Sequence, residues 1–223
     1  MMLGAVDRRR ALAGLIAAAL IGLAGCADLS GSSGTSGPAE SNGSTSSAAP
    51  APKPASAAEL EKAKERAEIA DCPPSDPDVM PRDDGLPDLT LDCLGGGRQV
   101  RLAGLRGTPM VINIWAQWCG PCRQEAPHLA TLSQQAGDDL LFLGIDYQDP
   151  DPEAAIMFAE ISDWHYPQLQ DPQRELRPEL GIVGIPTTLL VDADGAIVAT
   201  LAAPMTSEDQ LRSQIKKHLG VQL

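Results

Sequence analysis

The chain has 223 residues, enough for one domain of ordinary size plus extensions, and 17 Lys and Arg against 30 Asp and Glu leave a formal net charge of −13. An acidic balance with no basic stripe excludes the electrostatic footprint of a nucleic-acid binder and otherwise bears on solubility rather than fold. Aromatic residues are few (3 Trp, 2 Tyr and 2 Phe), and all fall between Trp115 and Tyr166, where the densest packing is expected.

In chain order, the first element is an address. Arg8-Arg9-Arg10 makes a positive start, and the apolar stretch ALAGLIAAALIGLAG after it is shorter than the ~20 residues of a comfortable membrane span. It ends in Leu23-Ala24-Gly25-Cys26, which resembles the lipobox of bacterial lipoproteins. That resemblance implies a signal peptide over residues 1–25, a lipid on the Cys26 thiol, and a mature chain anchored through it at the extracytoplasmic face of the bacterial cell membrane. An ordinary secretory signal ending in a cysteine is the alternative, and Sec and twin-arginine export both stay open. Of the five cysteines (Cys26, Cys72, Cys93, Cys119 and Cys122), lipidation uses one and leaves an even number in an oxidising compartment.

Residues 26–57 are Ser, Gly, Pro and Ala with almost no large apolar side chain, so they cannot bury enough surface to offset the entropy of ordering. The stretch reads as a disordered tether, with an O-glycosylated stalk as the alternative. Residues 58–71 have helix-forming composition and alternating charge without a strong apolar face, as in a short surface helix or more tether. The folded domain is expected over 72–223.

Within it, DLTLDCLGGGRQVRL reads as strand, Gly-rich turn, strand, an N-terminal β-hairpin. PMVINIWA is a nearly continuous apolar run, as in a strand buried on both faces. A helix follows from about Cys119 to Gln135, with Ala126, Leu129, Ala130 and Leu132 facing inward. LLFLGIDY is a second buried strand, and Asp151-Pro152 opens a helix through Ile161. TTLLVD and AIVATL are joined at Asp194-Gly195 as a hairpin. The last helix starts at Ser207 with Gln210 in a capping-box position, buries Leu211, Ile215 and Leu219, and stops at Gly220. The order is hairpin, then β-α-β-α-β-β-α: an α/β domain, a central mixed sheet with helices on both faces.

The chemistry gathers at WAQWCGPCRQEAP, residues 115–127. Cys119 and Cys122 stand where a buried strand gives way to a helix, whose N-terminus offers free N–H groups and partial positive charge. A thiolate there is stabilised below the ~8.5 of free cysteine, so Cys119, at the exposed tip, is the expected nucleophile and Cys122, one turn further in, the resolving thiol. A zinc site needs further ligands, and His128, His165 and His218 are dispersed with no second C-x-x-C, so no metal is expected. A purely structural bridge would close too small a loop to constrain the unfolded chain much. No cofactor is expected beyond the redox-active disulfide itself. Cys72 and Cys93 pair by the even count as a structural disulfide, with a second redox pair or a docking thiol as the competing reading.

With W-C-G-P-C after a buried strand, Pro127 eight residues past Cys119, and GIPTT at 184–188 before a strand, the chain resembles the thioredoxin superfamily over roughly residues 72–220. In particular it is similar to the TlpA/ResA-like, membrane-tethered thiol–disulfide oxidoreductases. The resemblance implies a thioredoxin fold, a cis bond at Ile185-Pro186, and an Ile185 backbone free to pair with an extended substrate. Trp118, Gly120, Pro121, Ile185 and Pro186 are then the substrate-contacting set. Asn113 stands where thioredoxin itself carries a buried acid, and Glu125 matches an acidic residue that the branch uses near its cysteines. Glu125 is expected to tune the thiols or move a proton from Cys122; a solvated helix carboxylate is the alternative.

The function implied is reduction of disulfides in exported proteins or in apocytochrome c, recharged by a membrane thiol–disulfide donor. The alternatives are a disulfide oxidase or isomerase, and a surface binding module with a vestigial pair.

Overall fold

The computed structural model describes residues 53–223, so the signal peptide expected at 1–25, Cys26 and nearly all of the expected tether lie outside the described residues. The described chain runs α1 (Ala57–Arg66), β1 (Thr90–Cys93), β2 (Gln99–Arg101), β3 (Met110–Trp115), α2 (Gly120–Gln135), β4 (Leu141–Tyr147), α3 (Pro152–Ile161), β5 (Gln168–Asp171), α4 (Leu176–Leu180), β6 (Thr187–Val191), β7 (Ile197–Leu201) and α5 (Glu208–Leu219). None of these helices is long and apolar enough to cross a membrane.

The sheet order is β2-β1-β5-β4-β3-β6-β7. Strands β3, β4 and β5 run parallel, and the other pairings are antiparallel. All six residues of β3 are buried, which is why its sequence is apolar throughout rather than alternating. Val111 and Trp115 face one core while Met110, Ile112 and Ile114 face the other. The first core takes Leu129 and Leu132 of α2, Phe158 of α3, and Leu211 and Ile215 of α5. The second takes Leu176 of α4 with Val100, Leu102 and Leu105 around the second strand of the hairpin. Burying each such side chain is worth about 1.5–3 kcal/mol of transfer free energy. The aromatic cluster is real: Trp115, Phe158 and Trp164 pack with ring centroids 5.1–5.3 Å apart.

The end signals act much as expected. Asp151 Oδ1 accepts from the Ala154 N–H at 3.0 Å to start α3. Ser207 Oγ accepts from the Gln210 N–H at 3.2 Å, while Gln210 Oε1 accepts from the Thr206 N–H rather than from Ser207, a variant of the capping box. Gly220 ends α5 with φ 73°, a conformation only glycine adopts freely.

Two expectations need correction. The stretch between α3 and β6, to which the expected order assigns no element, contains β5 and α4, and β5 is an internal strand between β1 and β4. Its sequence, Gln-Leu-Gln-Asp, carries one apolar residue, so it shows neither alternation nor an apolar run. Gln168 and Asp171 are buried and hydrogen-bonded: Asp171 accepts from the N–H groups of Glu175 and Leu176 at 2.8 and 3.0 Å. The second correction concerns residues 58–71, set apart from a domain beginning at 72. Helix α1 packs against α3, and Ala63, Ala67 and Ile69 join the same core as α2 and α5. Small alanines make a buried face that hydrophobicity alone does not flag.

Candidate active site

Cys119 is the N-cap of α2: its backbone is extended (φ −78°, ψ 107°), and its Sγ accepts from the backbone N–H of Cys122 at 3.1 Å. The sulfur therefore occupies the place where a helix N-terminus binds negative charge. Cys122 lies in the first turn and is disulfide-bonded to Cys119. Gly120 and Pro121 are exposed between them, and Pro121 leaves no N–H to satisfy in that turn. The expected contrast in exposure is narrower than the sequence suggested: Cys119 is 4% and Cys122 0% exposed. What separates them is the cap geometry more than open access.

Several groups hold the loop before Cys119. Asp149 Oδ2 accepts from the Gln117 N–H at 3.2 Å. Arg123 donates to the Gln117 carbonyl and lies 5.1 Å over the Phe158 ring. Trp115 is wholly buried, and Trp118 is half exposed. Trp118 shares a cleft of about 260 Å³ with Tyr147, Arg177, Gly184 and Ile185, so two of the expected substrate-contacting residues line one opening. The Ile185–Pro186 bond is cis; Pro186 is buried, and Ile185 is partly exposed.

Glu125 is not a solvated carboxylate. It is fully buried, Oε1 accepting from Asn113 Nδ2 at 2.8 Å and Oε2 from the Met205 N–H at 3.0 Å. Asn113 and Glu125, singled out separately in the sequence, thus form one hydrogen-bonded pair that ties β3 to α2. Burial raises the Glu125 carboxyl above its usual range, with the two hydrogen bonds opposing.

A further carboxyl, Asp146, stands next to last in β4, where its position in the chain gives no sign of a partner. It sits in register with Trp115, is 1% exposed, and its Oδ1 has no hydrogen-bond partner among the described residues. Burial first, then the charges of Asp149 and Asp151, push it up to about 9. The folded state therefore holds a proton on Asp146 that the unfolded chain releases near the ordinary value of 3.8. Its contribution is fully present below that value and is lost as pH rises toward 9, at up to ~1.4 kcal/mol per pH unit. Asp146→Asn is expected to flatten this decline and to be more stable than the parent at pH 8, as measured by urea unfolding at pH 5, 6.5 and 8.

Cys72 and Cys93 are disulfide-bonded with Cα atoms 6.1 Å apart, joining the segment after α1 to the end of β1.

A parallel-centred sheet with a disulfide at the head of α2, and a cis-proline loop that shares a cleft with Trp118, is a thioredoxin-superfamily architecture. The chain belongs to the redoxin family, whose model, described as Redoxin, matches residues 81–217, and within the superfamily it is TlpA/ResA-like. It is 32% identical to the thiol:disulfide interchange protein HelX of Rhodobacter capsulatus over 63% of this chain and 80% of that one. It is also 32% identical to the thiol-disulfide oxidoreductase ResA of Geobacillus thermodenitrificans over 60% of this chain and 73% of that one. Among solved structures it resembles a secreted thiol-disulfide isomerase from Corynebacterium glutamicum, with TM-score 0.53 and 25% identity, covering 68% of this chain and 96% of that one.

Proposed function

We propose that this protein is a thiol–disulfide oxidoreductase that reduces disulfides of exported proteins, with Cys119 as nucleophile and Cys122 as resolving thiol. The observation that carries the reading is the Cys119 sulfur at the N-cap of α2, 3.1 Å from the Cys122 N–H. When the pair is reduced, that donor and the helix dipole favour the Cys119 thiolate. The thiolate attacks one sulfur of the substrate disulfide, and the other substrate sulfur leaves and takes a proton. Cys122, deprotonated, then attacks Cys119, releasing the second substrate thiol and restoring the Cys119–Cys122 disulfide. A membrane dithiol donor returns two electrons to complete the cycle.

Glu125, one turn beyond Cys122, is the group proposed to take the Cys122 proton. Its burial, with Asn113 and the Met205 N–H as fixed partners, supports that role. Trp118, Gly120, Pro121, Ile185 and Pro186 are proposed to contact substrate, the Ile185 backbone pairing with an extended segment. The lipobox-like Leu23–Cys26 supports anchoring through Cys26 at the extracytoplasmic face of the membrane, and the resemblance of the domain supports apocytochrome c as one substrate.

Trapping tests this. In cells, Cys122→Ser is expected to accumulate disulfide-linked adducts on Cys119 with exported proteins, resolved by thiol treatment and absent from the Cys119→Ser/Cys122→Ser double variant. No adduct above that control would refute the proposal. The potential of the pair assigns the direction: a value near about −270 mV fits a reductase, and one near about −120 mV an oxidase.

A further inference from the structure

The second disulfide has chemistry around it that a passive staple does not need. Cys72 and Cys93 are 3% and 2% exposed, and between them and solvent lies Lys64 of α1, itself only 5% exposed. Lys64 Nζ is 3.4 Å from Cys93 Sγ, 3.3 Å from the Gly96 carbonyl and 3.1 Å from Asp71 Oδ1. A buried ammonium is costly, and its carboxylate partner is mostly in water, with the Asp71 side chain 89% exposed. The two sulfurs are not equivalent. Cys93 Sγ faces the ammonium, whereas Cys72 Sγ lies 3.4 Å from the Gln168 carbonyl oxygen, which suits a neutral S–H donor and repels a thiolate.

The nearest opening to the bond is on the Cys93 side. Gly96 and Gly97 are exposed and, with Lys64 and Asp71, line a cleft of about 260 Å³. Cys93 Sγ lies directly beneath: a Cβ at Gly97 would stand 3.8 Å from it and 3.6 Å from Lys64 Nζ. Glu61, Glu65 and Asp71 are the acidic groups around this opening, and Lys64 is the cation at its floor.

We propose that Cys72–Cys93 is a second thiol-exchange site, with Cys93 as the reacting sulfur, Cys72 as the resolving sulfur, and a dithiol as reductant. A thiolate of that dithiol attacks Cys93 Sγ; the Cys72–Cys93 bond breaks, its electron pair leaves on Cys72 Sγ, and Cys72 takes a proton from solvent. The reductant's second thiol, deprotonated, then closes on its own first sulfur and expels Cys93 as a thiolate beside Lys64. The dithiol is oxidised by two electrons to a disulfide, and the protein pair is reduced. Opening the bond removes the covalent tie between Cys72 and the end of β1, while Ala67 and Ile69 stay in the core and the Ala70 N–H keeps its bond to the His165 carbonyl.

The test uses the full chain with Cys119→Ser and Cys122→Ser, so it stands or falls apart from the redox centre on α2. Folded protein is equilibrated in dithiothreitol redox buffers, quenched by alkylation and weighed. The Cys72–Cys93 pair is expected to reduce reversibly with circular dichroism retained. Lys64→Met should lower the exchange constant about tenfold, some 30 mV at two electrons, while Lys64→Arg stays near the parent. Reduction only in denaturant, or a folded Lys64→Met variant with the parent midpoint, overturns the proposal. A second readout needs no Lys64 variant: partial alkylation of the reduced chain should label Cys93 before Cys72, and equal or reversed labelling overturns it as well.

Discussion

Replacing Cys119 by serine is expected to lower turnover in an insulin-disulfide reduction assay by about three orders of magnitude or more, to the rate of the thiol reagent alone. The hydroxyl would still fit the cap and accept from the Cys122 N–H, so the fold and α2 survive. What goes is the sulfur that caps α2, placed where the helix start stabilises an anion. Cys122→Ser separates the two roles. It keeps the attacking thiolate, so it should give one burst of substrate attack and then stall as a mixed disulfide, whereas Cys119→Ser gives no burst. Equal bursts from both variants would remove the assignment of Cys119 as nucleophile. A parent with no activity above the thiol reagent alone would return the chain to the binding-module reading.

Gly144→Ala is expected to cost about 1–3 kcal/mol or somewhat more, a large fraction of the ~5–15 kcal/mol by which domains are stable. A Cβ on Gly144 would fall 1.7 Å from Gln168 Oε1 and 2.6 Å from its Cδ. Gln168 is wholly buried and cannot step aside freely: Oε1 accepts from Trp115 Nε1 at 3.0 Å, and Nε2 donates to the Tyr166 carbonyl at 3.2 Å. The alanine therefore either overpacks the sheet face or displaces Gln168 and leaves buried polar groups unpaired, each at about 1–3 kcal/mol. Urea unfolding of the variant measures the loss. Adding Gln168→Ala relieves the overlap but still leaves Trp115 Nε1 without its acceptor, so the double variant should recover part of the stability and not all of it. A Gly144→Ala variant within 1 kcal/mol of the parent, as an order of magnitude against typical overpacking costs, would contradict this account.

Much of this architecture is legible in the residues because the responsible interactions are local or periodic. The apolar runs mark β3 and β4, Asp151-Pro152 marks α3, and Ser207 with Gly220 brackets α5, since caps and strand burial are written within a few positions. The Cys119-x-x-Cys122 helix start belongs to the same class. Two things were not legible, for a common reason. Strand β5 is held by its ladders to β1 and β4 and by the contact of Gln168 with Trp115, all distant in sequence, and its polarity reads as a loop until those partners are in place. Lys64 and Asp146 likewise look like surface charges in the chain, and only the third dimension buries them. The pairing of Asn113 with Glu125 lies between these cases: each residue was noticed, and the fold supplied the contact.

Gln168 also has a consequence for how related chains can differ. Its main-chain carbonyl accepts from the Leu94 N–H at 2.8 Å, its side chain serves Trp115, and the room for that side chain exists only because residue 144 has no Cβ. Positions 115, 144 and 168, on three different strands, therefore form one unit of inheritance. A side chain at 144 requires a shorter residue at 168, and a shorter residue at 168 requires an aromatic without an N–H at 115. Aligned relatives should show these three sites changing together, with single departures rare, however freely the surface around them drifts.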